Sequence, residues 1–169
     1  DWLGVAAVDG YGASGTVGSL AYVVFVCGMT VCRWYGPAAI DRYGRVPMMR
    51  AGAAVALAGL LTVVYGANLV VAGCGAVLWG LGVALGFPIG MSAAGDEPRH
   101  AAARVSVVAT IGYTAFLAGP TVIGVVGNHV GVLRALTVTA GLLGVGVLVA
   151  GSTRPLSAGE LSSLTPDPA

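Results

Sequence analysis

The chain has 169 residues, of which 57% are hydrophobic and only 9% are charged, and its formal net charge is +1. A water-soluble domain carries roughly 25% charged residues to cover its surface, so this composition excludes an ordinary soluble protein. It predicts instead an all-α membrane protein whose surface faces lipid. The charge balance also argues against nucleic acid as a partner, because no basic stripe is present to neutralise phosphates.

The chain begins with a short apolar stretch, residues 1–8, that cannot span a bilayer, since a spanning helix takes about 20 residues. It carries no initiating Met, basic leader or cleavage site, so we interpret it as the end of a truncated helix. Longer apolar runs follow and predict a transmembrane bundle over residues 1–152, with a polar tail, 153–169, that we expect to be disordered. The predicted spans are residues 17–36, 48–66, 69–93, 105–127 and 133–151.

The arginines predict how these spans are oriented. The chain has eight Arg and no Lys, and seven of the eight flank the breaks that follow the first, third and fifth full spans. Only Arg134 falls at the other end. Because basic residues concentrate on the cytoplasmic side, the 37–47 loop and the C-terminal tail are predicted to be cytoplasmic. The protein is then a multi-pass component of the plasma membrane, which in a bacterium is the inner membrane.

The break after the first full span concentrates charge in the stretch "DRYGR". Gly44 permits a positive φ that Tyr or Arg would resist. Asp41 can accept hydrogen bonds from a helix N-terminus, and Arg42 and Arg45 can reach carboxylates or helix C-termini. Such a cluster can hold two helical bundles together at one face of the membrane. The simpler interpretation is a solvated loop whose arginines only set topology.

This loop resembles the signature of the major facilitator superfamily, in which Asp41, Arg42, Gly44 and Arg45 match position for position. Pro37 stands where the family has its first Gly, and a second base is missing, as in the degenerate copy between the family's helices 8 and 9. The resemblance implies the C-terminal six-helix half of the fold, from the end of helix 7 through helix 12. It implies a secondary-active transporter of a small solute that works by alternating access.

The same resemblance implies a missing N-terminal six-helix half as the partner, and a chain that is inactive alone. The small-molecule substrate is unknown, and proton coupling is one option. The alternative from another functional class is a non-transporting helical membrane scaffold or assembly protein. A cavity open to water favours the transporter, whereas a densely packed core favours the scaffold.

The fourth full span, which the resemblance makes helix 11, contains "GYTAFLAGPTVIG". This stretch resembles a Gly-Pro pattern that the family's antiporters carry in helix 5, the counterpart of helix 11 in the other half. Gly112, Gly119 and Gly124 would allow close helix approach, and Pro120 would bend the helix. A packing face with no role in coupling is the alternative.

The third full span ends with "GLGVALGFPIG", where Gly86 and Pro88 predict a kink. This kink can be a hinge for transport, or it can have no such role, because Gly and Pro are common in membrane helices. Polar and amphipathic residues inside the spans are the default candidates for lining a substrate path, with packing as the alternative for each. These candidates are Asp1, Trp2, Tyr22, Trp79, Tyr113 and Thr114.

Enzyme chemistry finds no support in the motifs, because no phosphate-binding loop, metalloprotease or nucleophile signature appears. Asp96 and Glu97 are adjacent, but their surroundings are typical of a turn with cap and stop signals. Cys27, Cys32 and Cys74 lie in apolar runs, where packing is their expected role. The sequence therefore predicts no enzyme, no cofactor and no metal site.

Overall fold

The computed structural model describes residues 2–155, and these residues form helices with no strand. The all-α prediction is therefore confirmed. Asp1 and most of the predicted tail, residues 156–169, lie outside the described part. The helices are α1 (Trp2–Tyr11), α2 (Gly15–Tyr43), α3 (Arg45–Tyr65), α4 (Leu69–Val83), α5 (Gly86–Ala94), α6 (Ala101–Val130), α7 (Val132–Ala135) and α8 (Thr137–Val149), followed by a 3₁₀ helix, Ala150–Thr153.

Within residues 2–155, five helical segments are long and apolar enough to cross a bilayer. Three are the single helices α2, α3 and α6, and two are composite, Leu69–Ala94 from α4 and α5 and Val132–Thr153 from α7, α8 and the 3₁₀ helix. At a rise of 1.5 Å per residue, the 29 residues of α2 extend about 44 Å, more than the roughly 30 Å hydrocarbon core. The chain is thus a multi-pass membrane protein.

The predicted loop over residues 37–47 is wrong, because α2 continues through Pro37 to Tyr43 and α3 begins at Arg45. Pro37 removes one backbone N–H, but the residues that follow it are compatible with a helix and extend α2 beyond the apolar run. The connection is Gly44 alone, with φ +87° and ψ 161°. Its N–H donates to the carbonyl of Ile40 at 2.8 Å. The positive φ expected of Gly44 is confirmed.

Glycines bring α3 and α4 into close contact. A Cβ placed on Gly59 would lie 2.7 Å from the carbonyl oxygen of Gly75, and a Cβ placed on Gly75 would lie 2.7 Å from that of Gly59. Gly52 and Gly82 form a second reciprocal pair, at 2.8 and 2.5 Å. Small residues on both helices allow this backbone approach, which stabilises helix pairs in a membrane. The centre of the bundle therefore lies at this pair.

Helix α6 lies at the edge of the described bundle and contains no buried residue. It is attached through the neighbouring helices α5 and α7 and through α1, where the indole N–H of Trp2 donates to the carbonyl of Pro120 at 3.0 Å. Pro120 lies inside this continuous 30-residue helix. One long face of α6 is consequently free of contacts with the rest of the described chain.

Candidate functional site

An ion pair joins two connections at one end of the bundle. Arg45 Nη1 lies 2.5 Å from Asp96 Oδ2, and Arg45 Nη2 donates to Ser92 Oγ at 3.0 Å. Arg45 opens α3, Ser92 lies in the last turn of α5, and Asp96 follows α5. Both charged side chains are only 23% exposed, so water screens them less than a fully exposed pair. The α2–α3 junction is thereby tied to the α5–α6 connection.

Glu97 forms a second cluster in the same connection. Its Oε1 lies 2.7 Å from His100 Nδ1, and its Oε2 pairs with Arg104 in the first turn of α6. The hydrogen bond with His100 lowers the pKa of the Glu97 carboxyl, and the charge of Arg104 acts in the same direction, against the opposing effect of burial. The carboxylate therefore stays ionised at neutral pH and fastens the start of α6.

The breaks that carry most of the arginines lie at this same end. Glu97 and Thr153 line one cavity of about 690 Å³, which places the end of the last span beside the α5–α6 connection. At the opposite end, the side chain of Leu133 in α7 fills the space where a Cβ on Gly10 in α1 would lie. Arg134 lies beside that contact. The bundle thus has one basic end and one end with a single Arg.

A cavity of about 290 Å³, which we call the aromatic cavity, lies between α1, α2, α4, α6 and the last span. The rings of Phe25 and Trp79 meet edge to face in its wall, with centroids 5.2 Å apart and planes at 68°. Among residues 2–155, no charged residue lines it. Its aromatic and hydroxyl-bearing lining residues are Trp2, Tyr22, Phe25, Trp79, Phe116 and Thr139. The cavity can hold an apolar or aromatic group and offers hydroxyl groups for hydrogen bonds.

The third full span is interrupted where Gly86 and Pro88 predicted a kink. α4 ends at Val83 and α5 begins at Gly86, so Ala84 and Leu85 separate the two helices. Both separating residues are buried, and they pack in a small apolar cluster with side chains of α2 and α3. The break is therefore part of the packed bundle.

Comparison with known proteins gives two relatives with related descriptions. The chain is 30% identical over 159 residues, 93% of its length, to an uncharacterized MFS-type transporter of Yersinia pestis. It is 34% identical over 135 residues, 79% of its length, to membrane protein MosC of Rhizobium meliloti. The chain belongs to the major facilitator superfamily. It spans 40% of the first relative's length and 32% of the second's, and its helices fit the C-terminal half of that fold.

No family profile matches the chain, and no solved structure matches it. The superfamily assignment therefore rests on the two relatives and on the loop and helix pattern together.

Only some residues of the loop signature make side-chain contacts within residues 2–155. Arg45 forms the ion pair with Asp96, and the Arg42 guanidinium lies 5.4 Å from the centre of the Tyr43 ring. Asp41 is exposed and has no hydrogen bond or ion pair within residues 2–155. A role of Asp41 in holding two halves together stays a prediction.

Asp96 is a site residue that the sequence interpretation missed, because it was read only as part of a turn. Its partner, Arg45, lies 51 residues earlier in the chain. The alternation of spans did predict that both breaks lie on one side of the membrane. That shared side was the signal from which an ion pair between them could have been inferred.

Three of the candidates for a substrate path, Trp2, Tyr22 and Trp79, line the aromatic cavity. Tyr113 and Thr114 are exposed and do not line it. Asp1 lies outside the described residues. Phe25 and Phe116 were missed, because a Phe in an apolar run is expected to face lipid or the core and carries no polar atom to mark it. A role of any of these residues in transport stays a prediction.

The glycines of the α6 pattern meet aromatic side chains instead of a neighbouring backbone. A Cβ on Gly112 would lie 2.6 Å from the Phe87 ring, and a Cβ on Gly124 would lie 3.0 Å from that of Trp2. A Cβ on Gly119 would meet no atom within 4 Å. The described chain therefore gives Gly119 no packing partner, and the close helix approach expected there is absent from residues 2–155.

Proposed function

We propose that the chain forms the second half of a secondary-active transporter, which moves a small solute across the membrane by alternating access. The aromatic cavity carries this proposal, because it lies among membrane-length helices and draws residues from α1, α2, α4, α6 and the last span. The similarity to the uncharacterized MFS-type transporter of Yersinia pestis supports it. A cavity whose lining within the described residues is aromatic and hydroxyl-bearing suits solute binding better than it suits a scaffold or an enzyme.

The proposal includes a partner half. The free face of α6 and the cavity beside it form one wall of a substrate site, and we propose that an N-terminal six-helix half supplies the other wall. The relatives are more than twice as long as the matched region, which supports this. The chain alone then carries at most half a site, and we expect it to be inactive.

The loop signature is proposed to join the halves at the cytoplasmic end. Arg45 is held to Asp96 within this half, whereas Asp41 and Arg42 are exposed, which supports a contact of these two residues with a partner half. Replacing the Asp41 charge by Asn in the full transporter should shift the balance between inward- and outward-open states by about 1–3 kcal/mol. Flux in vesicles should fall while cysteine accessibility reports an unchanged topology. Unchanged flux would show that Asp41 does not join the halves and that the loop only sets topology.

Orientation and coupling are further parts of the proposal. The basic end is assigned to the cytoplasm of a plasma membrane on the distribution of arginines. For proton coupling the candidate is Asp9, which with Tyr22 lines an open groove of about 670 Å³ between α1 and α2. An imposed pH gradient should drive uptake in the full transporter and not in its Asp9→Asn variant. Equal uptake by the two proteins would show that Asp9 does not couple transport to protons.

The deciding experiment compares two preparations in reconstituted vesicles, the full-length transporter and the 169-residue chain. Each is offered a panel of radiolabelled small solutes. We expect saturable flux of at least one solute with the full-length protein and none with the chain. Saturable flux with the chain alone would contradict the half-site proposal, and a full-length protein that moves no solute in the panel would favour the scaffold.

A further inference from the structure

The carbonyl of Ala84, at the break between α4 and α5, cannot have its usual helical partner. In a continuous helix this oxygen accepts from the N–H four residues later. That residue is Pro88, which has no N–H. Ala84 is fully buried, so leaving its carbonyl unpaired would cost the desolvation penalty of a buried acceptor. Another donor is needed at this point of the bundle.

The donor is an arginine of the neighbouring helix. Arg33 Nε in α2 donates to the Ala84 carbonyl at 3.4 Å. Gly36, one turn further along α2, faces the second residue of the break, because a Cβ there would lie 2.6 Å from Leu85 Cδ1. A side chain at Gly36 would push the break away from α2. Arg33 therefore contacts the first residue of the break, Ala84, and Gly36 makes room for the second, Leu85.

If Arg33 served only to orient the helix in the membrane, its side chain would not need to point into the bundle. Trp34 and Tyr35 beside it are 80% and 69% exposed, which is typical of aromatic residues at the membrane–water interface. At that depth a long Arg side chain can extend to water and needs no partner in the protein. The Nε–H of Arg33 is directed at a buried backbone carbonyl instead.

The helix beyond the break is held at its other end as well. Arg45 binds Ser92 and Asp96 at the end of α5, and between these two points Phe87 lies against Gly112 of α6. A movement of α5 about the break would therefore move a ring that contacts α6, the helix that borders the aromatic cavity. α5 has the form of a short lever with an arginine contact at each end.

We propose that Arg33 is a positioning residue, whose guanidinium supplies the hydrogen bond that Pro88 cannot and so fixes the α4–α5 break as the hinge of α5. The hydrogen bond itself does not depend on the proposed function, whereas its consequence for solute flux rests on that function. Lys cannot replace this donor closely, because the Nε–H of Arg is held in a planar group at fixed geometry.

The test is a double-mutant cycle in the full-length protein, read by amide hydrogen exchange of peptides covering residues 84–92. Arg33→Met keeps an unbranched apolar chain that extends as far as the Nε position and removes the donor. Pro88→Ala restores an N–H that can bond to Ala84 directly. A net hydrogen bond of about 1 kcal/mol corresponds to roughly fivefold faster exchange when the bond is lost. We expect that acceleration from Arg33→Met alone, and less than a twofold effect of the same change in the Pro88→Ala background.

Arg42→Met is the matched control, since Arg42 lies on the same helix, is exposed and does not reach the break. It should leave exchange at residues 84–92 unchanged. Equal acceleration by Arg33→Met in both backgrounds, or none in either, would overturn the inference. Flux is measured on the same variants and should fall severalfold in Arg33→Met. Absence of flux in every variant, with the exchange pattern intact, would contradict the transport function and support the hydrogen bond.

Discussion

Helices α4 and α6 are both rich in glycine, yet they use it in opposite ways. In α4, Gly75 and Gly82 lie against glycines of α3 so closely that no Cβ could fit between the backbones. In α6, Gly119 faces open space, and no residue of the helix is buried. The same residue type thus marks a closed interface in one helix and an unoccupied face in the other.

In a membrane, an apolar sequence does not distinguish between a glycine face that packs on protein and one that is open. Lipid tails are as apolar as a protein core, so positions that face lipid, protein or a partner half carry similar residues. Hydropathy therefore locates a span without identifying its buried face. Reciprocal pairs of glycines, as in α3 and α4, become visible only once the helices are placed side by side.

Substitutions at the closed interface between α3 and α4 should destabilise the chain most. Gly75→Ala would place a methyl group 2.7 Å from the Gly59 carbonyl and 2.9 Å from the Val63 nitrogen. Because backbone atoms cannot move aside cheaply, we expect a loss of roughly 3 kcal/mol, the upper end of typical overpacking. The measurement is thermal or denaturant unfolding in detergent.

Gly73→Ala is the matched control, two residues earlier in α4, where a Cβ meets no atom within 4 Å. It should leave stability unchanged or raise it slightly, because Ala favours a helix over Gly. Equal destabilisation by the two substitutions would mean that α3 and α4 do not pack through these glycines.

A smaller contrast is expected within α6 itself. Gly112→Leu would collide with the Phe87 ring, a side chain that can shift at some cost, so we expect a loss of about 1–2 kcal/mol. Gly119→Leu has free space in the described chain and should change its unfolding by less than about 0.5 kcal/mol. If Gly119→Leu is the more damaging of the two in the chain alone, the placement of α6 is wrong.

The charged end of the bundle offers a third contrast. Asp96→Asn breaks a half-buried ion pair with Arg45 and should cost about 1 kcal/mol in the unfolding of the chain. Asp41→Asn removes the same charge from an exposed residue with no partner within residues 2–155, and should cost next to nothing. Equal effects in unfolding experiments would show that Asp41 has a partner within this half.

The smallest expected effect is a dependence on pH. The pKa of Glu97 is lowered by the His100 hydrogen bond and by Arg104, so the unfolded chain takes up the proton first as pH falls. The stabilisation from Glu97 is complete above the ordinary pKa of a Glu, about 4.3, and is lost as pH falls through the lower folded value. Unfolding midpoints between pH 3 and 6 should therefore fall more steeply for the native chain than for Glu97→Gln, and identical slopes would contradict the assignment.

Much of the fold could be predicted from the sequence, because long apolar runs and Arg-rich breaks are local signals. The helical class, the interruption near Pro88 and the positive φ of Gly44 follow from single residues and their neighbours. The loop over residues 37–47 could not be predicted correctly, since Pro37 is tolerated within a helix that extends beyond the bilayer. The pairing of Arg45 with Asp96 depends on contacts between distant segments.

The candidate site was predictable only in part, for a related reason. Tyr22 and Trp79 attract attention because they carry polar atoms within apolar runs, and both line the cavity. Phe25 has no such mark, and Tyr113 has one but lies on an exposed face. Which face of a helix borders a cavity depends on helix rotation, and an apolar sequence does not encode that rotation strongly.

The proposed half-site requires that the cavity-side face of α6 lines a water-filled path between two halves. The most direct measurement is the reaction of Gly119→Cys, in a full-length transporter freed of Cys27, Cys32 and Cys74, with a charged membrane-impermeant thiol reagent. Leu148→Cys is the matched control, on an exposed side chain of α8 that we assign to lipid. We predict that Gly119→Cys reacts and Leu148→Cys does not. A Gly119→Cys variant as unreactive as Leu148→Cys would place this face in lipid and contradict the proposed half-site.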